Sequence, residues 1–385
     1  MKTRALLLIG AAATGLAMPS ALAAGRVTMP KAEISAASTA DAAITAHFEP
    51  QPSGRTARIN YELIDDALNL MVFNAGPSLR RYATTPDARV GSRFTKGHTS
   101  PYRLEGNKIF FSQFDDDTVA AIGEYRASLE RIGSAADLTT LPRNEQLAYW
   151  FNLHNIVVID EIAKAYPVTR PSRMKLGPDR KTLHDAKIIE IDGMALSLRD
   201  IRENIVYRHW SDPKVIYGFY RGDLGSPSIR SAAYTADSVG DELESQAREF
   251  VNSLRGVARG RNKIKVSEVY AEARPALFPQ WPSDFRSHLM EYADQDVAEL
   301  LQDSESVQIA QYEDTVGDMV GGDITSDLSP RDNAQVLSLP PQLARMANEY
   351  EEKILELKRQ GYFKSKVIII DEPTEDPDAA DGEVD

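Results

Sequence analysis

The sequence predicts an α+β fold that is mainly helical, with a small mixed or antiparallel sheet and a further helix near the C-terminus. Apolar residues recur at helical spacing in several long segments. Between two short apolar runs, Asp192-Gly193 is typical of the tight turn of a β-hairpin. The chain has 385 residues, 42% of them hydrophobic, and no cysteine. Its core must therefore be large enough to be stable without disulfides.

The first 23 residues have the pattern of a secretory signal peptide. Lys2 and Arg4 precede an apolar stretch over 6–18 that is too short to span a membrane. The tripeptide Ala-Leu-Ala that ends at Ala23 is a small-x-small cleavage site. We therefore expect cleavage after Ala23 and export to the periplasm or the outside of a bacterium. No later stretch predicts an integral membrane segment in the mature chain.

Composition excludes several classes of function. The net charge of −13 argues against a nucleic-acid partner, which would require a basic surface. The absence of cysteine rules out thiolate metal sites, iron–sulfur clusters and a cysteine nucleophile. No HExxH motif and no P-loop is present. We expect no cofactor and no metal.

The N-terminal half predicts a flexible lead-in followed by helices. Residues 24–54 are rich in Ala, Ser, Thr and Pro, and we interpret them as the lead-in. From Tyr61 the apolar spacing is helical. A short strand is predicted at 108–111, and the acidic run at Asp115 is typical of the start of a helix that reaches residue 132.

The strongest helix is predicted over 144–165, where apolar residues share one face until Tyr166-Pro167. The hairpin and a helix over 197–206 follow. Further along the chain, we predict a strand at 214–220, a Gly/Ser/Pro loop at 221–228, a helix at 237–254, a strand at 263–266, a helix from 267 and a helix at 284–301. Together they form one main domain over 55–303, with its core at 144–300.

Beyond residue 303 the composition changes. The acidic segment 304–338 is predicted as a linker, 339–370 as a helix with a short strand, and 371–385 as a disordered acidic tail. The helix, over 340–360, has a narrow apolar seam that either docks on its own domain or binds a partner helix. The seam consists of Leu343, Ala347, Tyr350, Ile354 and Leu357.

Four stretches of the central region resemble the domain-of-unknown-function family 547 (DUF547). They are NEQLAYWFNLHNIVVI, IIEIDGMALSLRDIRENIV, DPKVIYGFYRGDLGSPSIRSAAYT and KIKVSEVYAEARPALF, in that order. The similarity runs from about residue 144 to 300, with a weaker part upstream to about 60.

The resemblance implies a thiol site that this chain has lost. Many members of the family carry cysteines in the loop that corresponds to 221–228 and a histidine in the helix after the hairpin. Here Arg221 and Ser226 stand at the cysteine positions, and Glu203 or Asn204 at the histidine position. Cysteine–histidine chemistry is therefore impossible. By fold analogy, the implied architecture is similar to papain-like or transglutaminase-like hydrolases.

Ser226, His154 and His184 are the candidate catalytic residues. Ser226 in its Gly-Ser-Pro turn could act as a nucleophile with either histidine as base. The loop does not match the Gly-x-Ser-x-Gly elbow of hydrolases, and Ser, Gly and Pro are also what ordinary turns contain. A single histidine on an apolar helix face is, in the same way, often a core residue.

Arg221 is the first candidate for ligand binding. Its forked cation suits a carboxylate or phosphate, or forms an internal salt bridge to Glu203 or Asp223. Asn152 and Asn155 either orient a ligand or satisfy buried backbone. The candidate ligand-binding residues are Arg221, Asp223, Glu203, Asn152, Asn155, Trp150 and Tyr220.

Our main interpretation is an exported, non-catalytic binding or scaffold module of the cell envelope with a degenerate thiol-hydrolase-like cleft. Its ligand would be an anionic group, a peptide or an envelope component near Arg221. One alternative is a hydrolase or acyltransferase that uses Ser226. Another is a protein-interaction platform formed by the 340–360 helix.

Overall fold

The computed structural model describes residues 39–52, 54–86, 98–322 and 341–362. The predicted signal peptide, the strand expected before residue 370 and the acidic tail lie outside these residues. The helices are α1 (Thr39–His47), α2 (Glu62–Met71), α3 (Asp116–Ala135), α4 (Arg143–Ala165), α5 (Tyr207–His209), α6 (Val239–Val251), α7 (Val269–Leu277), α8 (Ser283–Tyr292), α9 (Gln295–Asp303) and α10 (Pro341–Arg359). A π-helix (Asp200–Val206) precedes α5, and a 3₁₀-helix (Pro213–Gly218) follows it.

The strands are short and form four small sheets within the described residues. They are β1 (Val72–Phe73), β2 (Lys108–Ile109), β3 (Lys175–Leu176), β4 (Lys181–Thr182), β5 (Ile189–Ile191), β6 (Met194–Leu196), β7 (Val257–Arg259), β8 (Lys263–Ser267) and β9 (Ser306–Gln311). Three antiparallel pairs join β1 to β2, β3 to β4 and β5 to β6. In the mixed sheet β8 pairs antiparallel with β7 and parallel with β9. The predicted α+β, mainly helical class is confirmed.

Helix α4 lies at the centre of the core. Nearly every residue from Glu145 to Ala163 is buried, so the helix is surrounded by other elements on all sides. Trp150 is 1% exposed, and its ring packs edge-on against Phe48 at 5.1 Å between centroids. Trp150 is therefore a core residue and does not face a ligand, contrary to our expectation.

The hairpin is confirmed. Ile189 pairs with Leu196 and Ile191 with Met194, and the backbone φ angles of Asp192 (50°) and Gly193 (74°) are the positive pair that a type I′ turn requires.

Two of the predicted elements differ from those of the structure. The predicted strand at 214–220 is wrong, because its first part is the 3₁₀-helix that Asp212 caps by accepting a hydrogen bond from Lys214 N. A short continuous apolar run is compatible with either a buried helical turn or a buried strand, so this pattern does not distinguish them. The helix predicted over 284–301 is two helices, α8 and α9, separated by an extended residue at Ala293.

The predicted lead-in and linker are both partly wrong. Residues 39–47 form α1, whose Ile44 is 3% exposed and belongs to the core. The described part of the linker contains β9 and then a segment in which Val316 and Asp318 are fully buried. The folded unit therefore continues past residue 303 to at least 322. Both segments are ordered because they pack against residues that are distant in sequence. Their amino-acid composition does not reveal this packing.

Helix α10 is docked on its own domain. Leu343, Met346, Tyr350 and Leu357 are buried, and Tyr350 Oη donates to the backbone oxygen of Arg103 at 2.9 Å. Of the predicted seam, Ile354 is exposed, and so is Ala347. The buried positions 343, 346, 350, 353 and 357 still step 3-4-3-4, with Met346 and Lys353 in place of Ala347 and Ile354.

Among the described residues, no helix is both long and apolar enough to cross a membrane.

Candidate functional site

Two asparagines of α4 hold the chain around the loop that the resemblance singles out. Asn155 Nδ2 donates to Gly218 O at 3.0 Å, and its Oδ1 accepts from Tyr220 N at 3.0 Å. Asn152 makes the same pair of bonds with Tyr234 O and Tyr234 N, at 2.8 and 2.9 Å. Each amide therefore replaces a backbone partner for a buried segment, and neither is free for a ligand.

A strap formed by residues 312–317 lies directly on the loop. Leu224 N donates to Thr315 O and Gly225 N to Glu313 O, both at 2.8 Å. A Cβ on Gly225 would come within 2.6 Å of the backbone nitrogen of Glu313. Only glycine allows the strap to approach this closely. The acidic segment that we expected to be a linker is thus the cover of the loop.

Ser226 is buried in this loop and serves its turn. It is 0% exposed, and its hydroxyl donates to Asp223 O at 2.8 Å. The same oxygen accepts from Arg221 N at 3.2 Å. Neither candidate histidine is a hydrogen-bond partner of Ser226 Oγ within the described residues. The arrangement is that of a turn serine, not of an activated nucleophile.

Arg221 is bound to a carboxylate that we did not predict. Its Nη2 and Nη1 donate to the two oxygens of Glu272, on α7, at 2.9 and 3.3 Å. Arg202, from the π-helix, binds the same carboxylate through Nε at 2.7 Å and Nη2 at 3.0 Å. Two guanidinium forks therefore hold one buried carboxylate between them.

The salt bridge between Arg221 and Glu203, one of the alternatives that the sequence leaves open, does not form. Glu203 accepts instead from Arg199 Nη1 at 2.9 Å and keeps 34% of its side chain exposed. Arg202, one residue earlier, is 1% exposed. Consecutive residues of a helix face different directions, so Arg202 points inward while Glu203 points to the rim.

Both histidines face Arg202. His154 Nε2 accepts from Arg202 Nη1 at 2.9 Å, and His184 Nδ1 faces the same atom at 3.4 Å. A guanidinium only donates, so these nitrogens are unprotonated. His154 Nδ1 then donates to Asn155 Oδ1 at 3.1 Å. Both ring nitrogens of His154 are occupied, and His154 is not available as a base.

Burial and the arginines also set the protonation states. Burial, and then the charge of Arg202, holds the pKa of both histidines well below the usual 6.5. Burial alone would raise the pKa of Glu272, but the charges of Arg202 and Arg221 outweigh it and lower that pKa far below 4.5. The carboxylate is therefore ionised and both imidazoles are neutral at neutral pH.

We call this set the Glu272 cluster. Its members are Glu272, Arg199, Arg202, Arg221, His154 and His184. His184 and Arg221 each keep 9% exposure, and the Glu272 side chain also keeps 9%, whereas His154 is 0% exposed. Arg199 is 46% exposed at the rim. The cluster is therefore a buried network of charges, and Arg199 is its solvent-exposed edge.

Asp223 and Tyr220 contact the strap rather than a ligand site. Tyr312 Oη, in the strap, lies 2.8 and 2.9 Å from the two carboxylate oxygens of Asp223. Burial raises the pKa of Asp223 to about 7, against the opposing effect of this hydrogen bond. Tyr220 is 2% exposed beside the same carboxylate. Both residues are internal.

Sequence reasoning missed Arg202, Glu272 and Tyr312. Arg202 lies in LSLRDIREN beside the expected Glu203, and Glu272 lies in KIKVSEVYAEARPALF, so the quoted motifs contain both. No spacing rule connects positions 202, 221 and 272, because only the tertiary fold brings them together. Within the part of the chain that the structure describes, no group of three or more His, Cys, Asp or Glu side chains could hold a metal ion.

Comparison with known families covers part of this cluster. Residues 138–251 match the family described as "Protein of unknown function, DUF547". No curated protein and no solved structure matches the chain. The matched segment contains His154, His184, Arg202 and Arg221, whereas Glu272 lies beyond its end. The central segment of this chain, residues 138–251, belongs to the DUF547 family.

Proposed function

We propose that this protein is an exported, non-catalytic binding or scaffold module of the cell envelope. One observation carries the proposal: the position at which the resemblance implies a cysteine holds Arg221, and its guanidinium is bound to Glu272. The position of the implied nucleophile is therefore occupied by a permanently charged guanidinium, which cannot attack a substrate.

The surroundings support the same conclusion. Ser226, at the other implied cysteine position, is fully buried and bonded to backbone atoms. His154 has both ring nitrogens occupied, and His184 faces a guanidinium, which disfavours its protonation. A general base must accept a proton at a free nitrogen near the nucleophile, and neither histidine satisfies this condition.

The N-terminal signal pattern supports export, and the arginines of the Glu272 cluster support binding. Arg199 is 46% exposed at the edge of this cluster, and Arg221 keeps 9% exposure. We propose that the ligand is an anionic group, from a peptide or another envelope component. Docking of α10 on its own domain leaves the protein-interaction platform without the free apolar seam that it requires.

Labelling by a fluorophosphonate serine probe tests the non-catalytic role. We expect the intact mass of the mature protein to be unchanged after exposure, for the wild type and for Ser226→Ala alike. Stoichiometric labelling that disappears in Ser226→Ala would overturn the proposal and identify a serine hydrolase or acyltransferase. A commercial serine esterase treated in parallel confirms that the probe is active.

A further inference from the structure

An apolar groove lies along one side of the docked helix α10. Its volume is about 450 Å³, and most of the surface that lines it is apolar. Ile354 and Leu355, on its α10 wall, are 38% and 46% exposed. Its walls include Phe73, Phe110 and Met319 from the domain, and Ala347, Ile354 and Leu355 from α10. Two residues of the predicted seam, Ala347 and Ile354, therefore face a groove that the described residues leave uncovered.

The chain continues past α10 with an apolar run. Residues 367–370 are Val-Ile-Ile-Ile, and residues 371–385 beyond them contain eight acids and no base. Four consecutive apolar residues in contact with water promote aggregation, so a run of this kind is normally covered. Residues 363–385 lie outside those that the structure describes. An uncovered apolar groove and an apolar segment therefore occur next to each other in the same chain.

The end of α10 turns the chain away from the helix axis. Gly361 has a φ angle of 82°, which is the left-handed conformation that glycine adopts most readily. Gly361 N donates to Lys358 O and Tyr362 N donates to Leu357 O, both at 3.0 Å. These are the two hydrogen bonds of a Schellman motif, which ends a helix. The residues after Tyr362 therefore do not continue the line of α10.

The length of the chain matches the length of the groove. An extended chain from Tyr362 to Ile369 spans about 23 Å. The helix rises about 21 Å between Ala347 and Gly361. A chain that runs back along α10 therefore brings Ile369 level with Ala347, where the groove is lined by apolar side chains.

The same alignment brings opposite charges together. Lys366 comes about level with Glu351, which lines the groove. The ion pairs of α10 use Glu349 and Glu356, whereas Glu351 has none within the described part of the chain. The acids from Asp371 onward come level with the first turn of α10, which contains no acidic residue. The N-terminus of a helix favours negative charge, so this alignment is electrostatically favourable at both ends.

We propose that residues 367–370 lie in this groove, antiparallel to α10, and cover Ala347 and Ile354. The tail then occupies the part of the apolar seam that a partner helix would use, so the chain closes its own interaction surface. The inference goes beyond the proposed binding role and does not depend on it.

Disulfide trapping in the mature chain, residues 24–385, provides the test, because the chain has no cysteine of its own. The trapping pair is Ala347→Cys with Ile369→Cys. The control pair is Glu352→Cys with Ile369→Cys. Glu352 is exposed like Ala347 and lies nearer to the tail along the chain, but it does not line the groove. A tail that moves freely would therefore reach position 352 at least as readily as position 347.

Under mild oxidation with diamide, we expect the trapping pair to form its internal disulfide about tenfold faster than the control pair, because docking raises the local concentration of one thiol at the other. Intact mass and non-reducing electrophoresis follow the reaction. Ile354→Asp, added to the trapping pair, places a charge in the groove and should slow the reaction to the rate of the control pair. Leu63→Asp, at a 70% exposed position of α2 that does not line the groove, should leave the rate unchanged.

Equal rates for the two cysteine pairs would overturn the proposal, and so would an unchanged trapping rate in a folded Ile354→Asp variant. Disulfides between two chains, in place of the internal disulfide, would overturn it in favour of a second copy in the groove. The comparison of the two pairs changes only exposed positions of α10 and one position of the tail. It therefore stands even if Ile354→Asp does not fold.

Discussion

Arg221 and Glu272 are 51 residues apart in sequence, and their side chains meet in a forked ion pair with N–O distances of 2.9 and 3.3 Å. The arginine comes from the segment that matches DUF547, and the glutamate from a helix beyond it. The segment that carries the family's likeness therefore depends on a later part of the chain for the neutralisation of its buried charge.

Removal of Glu272 should strongly destabilise the fold. Glu272→Ala leaves Arg202 and Arg221 buried without a counter-charge, and we expect a loss of about 3–5 kcal/mol in the free energy of unfolding. Urea denaturation at pH 7 measures it. Glu203→Ala, which removes a partly exposed partner of Arg199, should cost less than about 1 kcal/mol. Equal losses in the two variants would contradict the central place of Glu272.

Asp223 should make the unfolding free energy fall as the pH rises from about 4 to 7. Burial raises its pKa from 3.8 to about 7, so the folded state holds this proton more tightly than the unfolded state does. Its stabilising contribution is complete below pH 3.8 and is lost by about pH 7. The shift corresponds to an upper bound of roughly 4 kcal/mol.

Urea denaturation of wild type and Asp223→Asn between pH 4 and 8 isolates this contribution from that of the buried histidines, which have the opposite pH dependence. The difference between the two profiles should slope over this range and level off above pH 7. Asp241→Asn, at an exposed position of α6, should show no such slope. Parallel profiles for wild type and Asp223→Asn would show that Asp223 ionises normally.

The side-chain amide of Asn155 should contribute more to the free energy of unfolding than an ordinary hydrogen bond does. Asn155→Ala leaves Gly218 O and Tyr220 N buried without their partners, and we expect a loss of about 2–4 kcal/mol. Asn348→Ala, at an exposed position of α10, should stay within about 0.5 kcal/mol of the wild type. Chemical denaturation compares the two. A change below 1 kcal/mol for Asn155→Ala would mean that water replaces the amide.

Helix α10 should be protected by its contact through Tyr350. The ring packs against Phe73 at 4.7 Å between centroids, and the residue is 2% exposed. Tyr350→Ala should cost about 3–5 kcal/mol in the stability of this docked helix, and hydrogen exchange over 341–359 should accelerate. Tyr362→Ala, at a 54% exposed position, is the control. Rapid exchange of α10 in the wild type itself would show that the helix is not stably docked.

Export should leave a mature chain that begins at Ala24. Expression of the full sequence in a Gram-negative host, followed by intact-mass measurement of the periplasmic fraction, checks both the location and the cleavage site. Replacing Ala21 and Ala23 by bulky residues should block cleavage, because the signal peptidase needs small side chains there. A full-length protein in the cytoplasm would contradict export.

Local patterns in the sequence were sufficient for the elements whose conformation depends on near neighbours. The spacing of α4, the Asp192-Gly193 turn and the Asp115 cap of α3 each follow from a few adjacent residues. For the same reason the mainly helical α+β class could be predicted. The resemblance to DUF547 also rests on sequence motifs, and the matched segment 138–251 confirms it.

The tertiary structure alone decided the candidate site. For Arg221 the sequence leaves open a ligand or a salt bridge to Glu203 or Asp223. In the structure Arg221 binds Glu272, because a buried guanidinium pairs with whichever carboxylate the packing of α7 brings to it. The acidic composition of residues 312–317 predicts a linker. In the structure these residues form the strap, because their backbone oxygens accept hydrogen bonds from the backbone of the 221–228 loop. Both outcomes depend on contacts between segments 50 or more residues apart, which no local pattern records.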